Sequence, residues 1–303
     1  PKEDAGFPWT RSYVGLSVHA PDLTPIKRWD GPVVSPGGEG SIDELGVEDP
    51  RVTYHAGRYW MVYCGVAPRD IENLDHQWVG TVCMAVSDDL VHWTKLGAVP
   101  ANGPEFDPVE PGAIRINNKD GVLFPDAIDG KVYLLHRPMN GANVNWTVDV
   151  AVADRPEGPY LDLGPIHDAF DFPEYAASWP GAGSTPIHVG GKRYLSVEHT
   201  GNTFANKQRK YVLDFFLYDF EGFDPENPRS LVKARIDDVF RPETFYEVHG
   251  PYPDSVSNVV FACGAYVHDG WLYVPYGGGD TYILAARVRM DEVMAALERA
   301  IPV

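Results

Sequence analysis

Apolar and polar positions along the chain fall into short alternating runs, and the same grouping of runs returns four times. "DPRVTYHAGRYWMVYCG" (49–65), "FPDAIDGKVYLLHRP" (124–138), "STPIHVGGKRYLSVEHTG" (184–201) and "CGAYVHDGWLYVPYGGGD" (263–280) each contain an apolar strand, a glycine turn and an aromatic-rich strand. The turns "HAGR", "IDGK", "VGGK" and "HDGW" are hairpin signals. A further apolar run follows each hairpin: "VGTVCMAVS", "WTVDVAVAD", "YVLDFFLYD" and "TYILAARVR". Units of about four strands, spaced by roughly 60–75 residues, have the size of propeller blades with generous loops. The segment "RSYVGLSVHAPDLTPIKRW" (11–29) reads as the second half of another unit. The expectation is a single all-β domain over 1–303: a five-bladed β-propeller whose first blade is incomplete at its N-terminal side. One short C-terminal helix is expected in "MDEVMAALERAI", with Val293, Met294 and Leu297 on one face and Asp291 as its cap.

The bulk numbers narrow the function. A net charge of −18 lacks the basic stripe of a nucleic-acid binder, although local Lys and Arg could still set the field of an anion pocket. Aromatic content of 12% allows a substantial core. Three cysteines, Cys64, Cys83 and Cys263, lie in apolar runs; they read as buried small side chains in a reducing, cytoplasmic setting. No run is long enough to span a membrane, and "PKEDAGFPW" is not a signal peptide.

Inner strands of a propeller meet at one mouth, so residues at the same point of several units become neighbours. Asp49, Asp126 and Asp280 each border a hairpin, and His136, Arg137 and His199 end second strands. Each has a plain structural reading as well. Asp49 in "EDP" and Lys119-Asp120 in "NKDG" suit turns. Arg137 suits an ion pair, His199 a core position, Tyr211 strand packing and Asp280 a turn. The histidines lack metal-site spacing. Of the tryptophans, Trp60, Trp78, Trp93, Trp146, Trp179 and Trp271 read mainly as blade packing, with one or two at the mouth for sugar rings.

"GVEDPRVT", "NKDGVLFPDAIDGKVYLLHRP", "SNVVFACGA" and "YGGGDTYILAA", in this order, resemble glycoside hydrolase family 130, the β-mannoside phosphorylases. The resemblance implies a five-bladed propeller. It makes Asp49 the catalytic acid, acting through a hydroxyl of the mannosyl residue. It makes Lys119, Arg137, His199 and Tyr211 the phosphate-binding set. It places Asp280 at the sugar, with Glu48, Arg51, Asp120, Asp126 and His136 as further substrate-binding candidates.

The implied reaction is inverting phosphorolysis of β-1,4- or β-1,2-linked mannosides, or of mannosyl-glucose or mannosyl-N-acetylglucosamine, giving α-mannose 1-phosphate. Phosphate is its own nucleophile, so one carboxylate suffices. Phosphate is the co-substrate, and no metal or other cofactor is expected. Two alternatives stay open: a hydrolase of the family using Glu198 or Glu174 as base, and a carbohydrate-binding propeller without turnover. The family's "N-P-G-A"-like segment and a further phosphate-contacting Arg upstream are not found. The extra stretches 68–78 and 103–117 are expected to shape the leaving-group subsite, and 246–258 is longer than the family norm. The incomplete first blade leaves an edge that a second copy of the chain could cover.

Overall fold

The computed structural model describes residues 11–68, 78–102, 117–139, 146–169, 172–252 and 255–300. Within them the alternating runs become antiparallel hairpins and the units become propeller blades. A two-stranded sheet, β1 (Ser17–His19) with β2 (Pro25–Arg28), precedes the blades. Blade 1 is β3 (Gly46–His55), β4 (Arg58–Pro68), β5 (Trp78–Ser87) and β6 (Trp93–Ala98), paired in that order. Blade 2 pairs β8 (Asn117–Leu123), β9 (Val132–Met139), β10 (Thr147–Ala153) and β11 (Tyr160–Asp168), and a short β7 (Ala101–Asn102) adds to β11 in parallel.

Blade 3 pairs β12 (Ala177–Gly181), β14 (Arg193–Thr203), β15 (Arg209–Asp219) and β16 (Val232–Phe240), with β13 (Ile187–His188) beside β12 along β14. In blade 4, β17 (Val260–Ala262) and β18 (Tyr266–His268) run along β19 (Trp271–Gly278), and β20 (Tyr282–Arg289) pairs on its other side. Four full blades are therefore seen. In the fifth sector, expected as a short blade, the described residues form the β1–β2 hairpin and the single-residue bridges Val14–Val34 and Ser12–Gly46.

Apolar residues on facing blades fuse into one cluster per interface, which is how sheets stack around a ring. Val62, Val82 and Met84 of blade 1 meet Leu123, Leu134 and Ala151 of blade 2. Phe124, Leu135 and Val150 of blade 2 meet Tyr194, Phe216 and Tyr218 of blade 3. Leu195, Val197 and Leu213 of blade 3 meet Val260, Leu272 and Val274 of blade 4. Helix α2 (Met290–Arg299) closes that last cluster with Val293 and Leu297, while Met294 packs against it. Its N-cap is Arg289 rather than Asp291; Asp291 sits in the first turn and pairs with Arg289 instead. A second helix not expected from the sequence, α1 (Phe245–Val248), is one turn closed by a Thr244–Glu247 capping box. No helix among the described residues is long and apolar enough to cross a membrane.

Blade contact is close enough to dictate glycine. A Cβ on Gly121 of β8 would stand 2.5 Å from Val62 Cγ1 and 2.7 Å from Val82 Cγ1. Polar groups are also buried between strands. Asp214 on β15 is 1% exposed and accepts from Thr200 Oγ1 at 2.6 Å and from the Asp238 N–H at 2.6 Å. Burial outweighs those two hydrogen bonds and pushes its carboxyl up to about 8.

Gly121→Ala is expected to lower stability by about 1–3 kcal/mol through overpacking, read as a lower urea midpoint; an unchanged midpoint would mean that the two blades part there freely. For Asp214, the folded carboxyl keeps its proton to about pH 8, whereas the unfolded one loses it near 3.8. Between those values the folded state binds the extra proton, so this contribution to stability declines as pH rises and levels off above about 8. Asp214→Asn removes the contribution, so its melting temperature should fall less than that of the wild type across this window. Parallel curves would refute the assignment.

Candidate active site

The innermost strand of every blade is interrupted partway along. In β3 the register shifts between Glu48 and Arg51, and in β8 between Lys119 and Val122. In blade 3 residues 182–186 separate β12 from β13, and in blade 4 residues 263–265 separate β17 from β18. The first two interruptions are bulges with an aspartate in the left-handed region: Asp49 at φ 51° and Asp120 at φ 54°. Aspartate tolerates that conformation better than most residues, and bulges re-aim side chains beside functional sites. The "EDP" triplet is thus a bulge within β3 and not a turn ahead of it.

The interruptions bring charged groups from three blades together. Lys119 pairs with Arg137 across β8 and β9, and its Nζ lies 3.0 Å from Asp49 Oδ2. Arg51 is buried; its Nε donates to Gly183 O at 3.1 Å, Nη2 to Ala182 O at 3.0 Å and Nη1 to Asp49 O at 2.9 Å. Asp120 has a buried carboxylate, with Oδ2 2.7 Å from Arg137 Nη1 and 3.4 Å from His199 Nε2, and Oδ1 3.6 Å from Arg51 Nη2. Arg137 Nη1 also donates to Pro180 O at 3.0 Å. Aromatic rings wall the site. Trp146 lies 5.6 Å from the Arg137 guanidinium, and Trp179, Tyr211 and Phe261 form edge-to-face neighbours around His199.

Charge states follow from this packing. Burial pushes the Asp49 carboxyl up, but Lys119 and Arg51 more than offset it and hold it below the ordinary carboxylate value. Burial also opposes ionisation of Asp120, and Arg137, His199 and Arg51 override it strongly. Burial lowers the imidazole of His199 in spite of Asp120, so His199 is neutral at neutral pH and offers hydrogen bonds rather than charge. Burial raises the carboxyl of Glu48, whose Oε1 accepts from Ser12 Oγ at 2.8 Å.

Asp49, Lys119, Arg137 and His199 thus assemble, and Tyr211 stands with its ring 6.2 Å from that of His199. Arg51 and Asp120 are in the assembly but have no exposed side-chain surface, so neither is placed to touch substrate as expected. His136 is fully buried on the β9 face opposite Arg137, held at Nδ1 by Asn118. Asp126 lies beyond the far end of β8, exposed, accepting from Tyr194 OH at 3.0 Å. Asp280 sits exposed in the β19–β20 turn at φ 52°, accepting from the Val256 N–H. Glu198 points to the β14 face opposite His199, where His167 Nε2 at 2.9 Å and Tyr218 OH hold it. Glu174 lies in an exposed turn ahead of β12. Residues 69–77 and 103–116 of the extra stretches, with 253–254, lie outside the described residues.

Among the described residues, one group has the donors and closeness a metal ion would need. His136, Asp149 and Asp162 offer ligand atoms within 4.8 Å of one another, all in blade 2 and turned away from Arg137. Sequence reasoning did not single out Phe261 or the carbonyls of Pro180, Ala182 and Gly183. For the carbonyls the signal was the "WPGAGS" run, where a Cβ on Gly181 would collide with His199 and Asp120.

Comparisons with known proteins bear on the family and the fold. A family model described as beta-1,4-mannooligosaccharide phosphorylase matches residues 27–299. The chain is 30% identical over 285 residues to a 1,2-beta-oligomannan phosphorylase of Thermoanaerobacter sp. (strain X514), covering 93% of this chain and 80% of that protein. Its fold is similar to that of a beta-1,2-mannobiose phosphorylase from Listeria innocua in complex with beta-1,2-mannobiose. There the TM-score is 0.66 at 23% identity, over 91% of this chain and 66% of that one. A structure described among glycoside hydrolases that target beta-1,2 mannosidic linkages in Candida mannan gives a TM-score of 0.64 at 20% identity, over 91% and 75% of the two chains. With the family model spanning the blades and the charged centre alike, the chain belongs to glycoside hydrolase family 130.

Proposed function

We propose that the protein is an inverting phosphorylase of β-mannosides, transferring a mannosyl group to phosphate to give α-mannose 1-phosphate. The observation that carries this reading is the meeting of Asp49 with Lys119, itself paired across the strands with Arg137. An acid thus stands beside two cations able to take a phosphate dianion. Arg137 Nε is buried and has no hydrogen-bond partner among the described residues, which suits an anion on that edge. His199 and Tyr211 would add neutral hydrogen bonds.

The charge states give the step an order. In the free protein Lys119 keeps Asp49 ionised, which is the wrong state for an acid. A phosphate oxygen on Lys119 competes for that ammonium and adds negative charge nearby. Both effects raise the proton affinity of Asp49. The loaded site therefore holds the proton that the leaving oxygen needs. A phosphate oxygen attacks the anomeric carbon from one face as the glycosidic bond breaks on the other. The proton passes from Asp49, through a mannosyl hydroxyl, to the departing oxygen, and Asp49 returns to its charged form. No metal enters this step.

A hydrolase would need a second carboxylate to activate water. Glu198 is held by His167 and Tyr218, and Glu174 lies in an exposed turn, so neither supports that reading. The relative at 30% identity is named for β-1,2-linked oligomannan, so β-1,2-mannobiose is the first substrate to try, with the β-1,4-linked disaccharide beside it.

Incubation with mannobiose should yield mannose 1-phosphate only when phosphate is supplied. Free mannose released at the same rate without phosphate would defeat the proposal. Asp49→Asn should lower turnover by about 10²–10⁴-fold, the usual worth of a general acid, with mannoside binding retained. If wild type and Asp49→Asn both bind mannosides and neither turns them over, the protein is a binding module. Arg137→Ala should raise the KM for phosphate by roughly ten- to a hundredfold, matching a charge-assisted contact of about 1.5–3 kcal/mol.

A further inference from the structure

Asp120 is approached by three ionisable side chains, against two for Asp49, yet it has no exposed surface of its own. Its side chain has no exposure, and three groups from three blades turn towards it: Arg51 of blade 1, Arg137 of blade 2 and His199 of blade 3. We infer that Asp120 is the positioning residue of the phosphate site, fixing which edge of Arg137 and which ring nitrogen of His199 face the anion. The inference rests on the phosphorolysis reading above.

The geometry of Arg137 carries the argument. A guanidinium presents its five N–H groups in a rigid planar fork. Here Nη1 donates to Pro180 O at 3.0 Å and forms an ion pair with Asp120 Oδ2 at 2.7 Å. On the lateral edge, Nε has no hydrogen-bond partner among the described residues, and Nη2 reaches only the weak acceptor Met139 Sδ at 3.9 Å. That Nε–Nη2 edge is the one that binds an oxyanion in two parallel hydrogen bonds. Trp146, 5.6 Å from the guanidinium, limits tilting. With Nη1 anchored and the plane held, only the lateral edge is left for phosphate.

The same carboxylate acts on His199. Its Oδ2 lies 3.4 Å from Nε2, which favours the tautomer with the proton on Nε2. Nδ1 then becomes an acceptor, and it too has no partner among the described residues. A hydroxyl, from the sugar or from a protonated phosphate, is the chemistry that fits it.

The backbone explains why an aspartate does this. In a regular strand Lys119 and Asp120 would face opposite sides. The bulge at φ 54° lets both serve the same site: Lys119 towards Asp49, Asp120 beneath Arg137. The shorter reach of Asp than Glu matches the close approach of Gly181, where any Cβ would strike the Asp120 carboxylate.

The test is a double-mutant cycle on phosphorolysis of mannobiose, using Asp120→Asn, Arg137→Ala and both together, with phosphate and mannoside varied separately. Asp120→Asn should raise the KM for phosphate about tenfold or more while the KM for mannoside stays within about twofold, and the double variant should be little worse than Arg137→Ala alone. A general structural role predicts the opposite: both KM values unchanged or rising together, and additive losses. Either of those results overturns the inference. Should Asp120→Asn not fold, Asp120→Glu keeps the charge, displaces it by one methylene and is read the same way. A wild type that neither binds nor needs phosphate overturns this inference together with the phosphorolysis reading. A phosphate-dependent wild type with an unaltered Asp120→Asn overturns this inference alone.

Discussion

A strand interrupted inside a protein leaves carbonyl oxygens without ladder partners, and buried carbonyls must be answered. Here the answer comes from two arginines. Arg51 takes the carbonyls of Ala182 and Gly183, and Arg137 takes that of Pro180. Burying two guanidinium groups then requires buried negative charge, which Asp120 and Asp49 supply. Each step forces the next, so a charged site arises at the centre of an otherwise apolar ring. Isolated buried ions would be costly; these form one network in which every charge has an opposite neighbour.

The hairpins were legible because period-two alternation and glycine turns are local signals. "HAGR" and "IDGK" became the β3–β4 and β8–β9 turns, and Val293 and Leu297 went to the buried face of α2. The interruptions were not legible in the same way. "EDP" carries the usual marks of a turn, and only the cross-strand pairing of Glu48 with Cys64 and of Arg51 with Val62 shows that the strand continues past it. The fifth sector differs slightly from the expected short blade for a related reason. Segment 11–29 has the apolar content of half a blade, but its only strands are a short hairpin with exposed residues, and Ser12 and Val14 make single bridges.

For the site, residue type told more than residue role. Lys119, Arg137 and His199 suit an anion and do assemble, Lys119 against Asp49 and the other two against Asp120. What the sequence withheld was burial. Arg51 and Asp120 look like ligand-binding residues until the carbonyls over 130 positions away and the partners on three blades are seen. Burial likewise turns His199 from a cation into a neutral group. Glu198 and His199 are neighbours in sequence and serve different interfaces, because adjacent strand residues face opposite ways.

The ring of interfaces also has a weakest link. Blades 1 to 4 are joined by shared apolar clusters, and Val14 and Val34 join the N-terminal segment to blade 1. Between β1–β2 and blade 4 the described residues leave instead a cleft of about 720 Å³, bordered by Ser17, Leu23, Tyr266 and Ile283 and bridged by the hydrogen bond from Tyr266 OH to Pro21 O. A closed circle of sheets resists opening only as well as its least-bonded joint. Fluctuations that part the ring should therefore begin at this cleft, as a clasp gives before the band does. The charged centre, anchored in blades 1 to 3, lies on the side of the ring that stays shut.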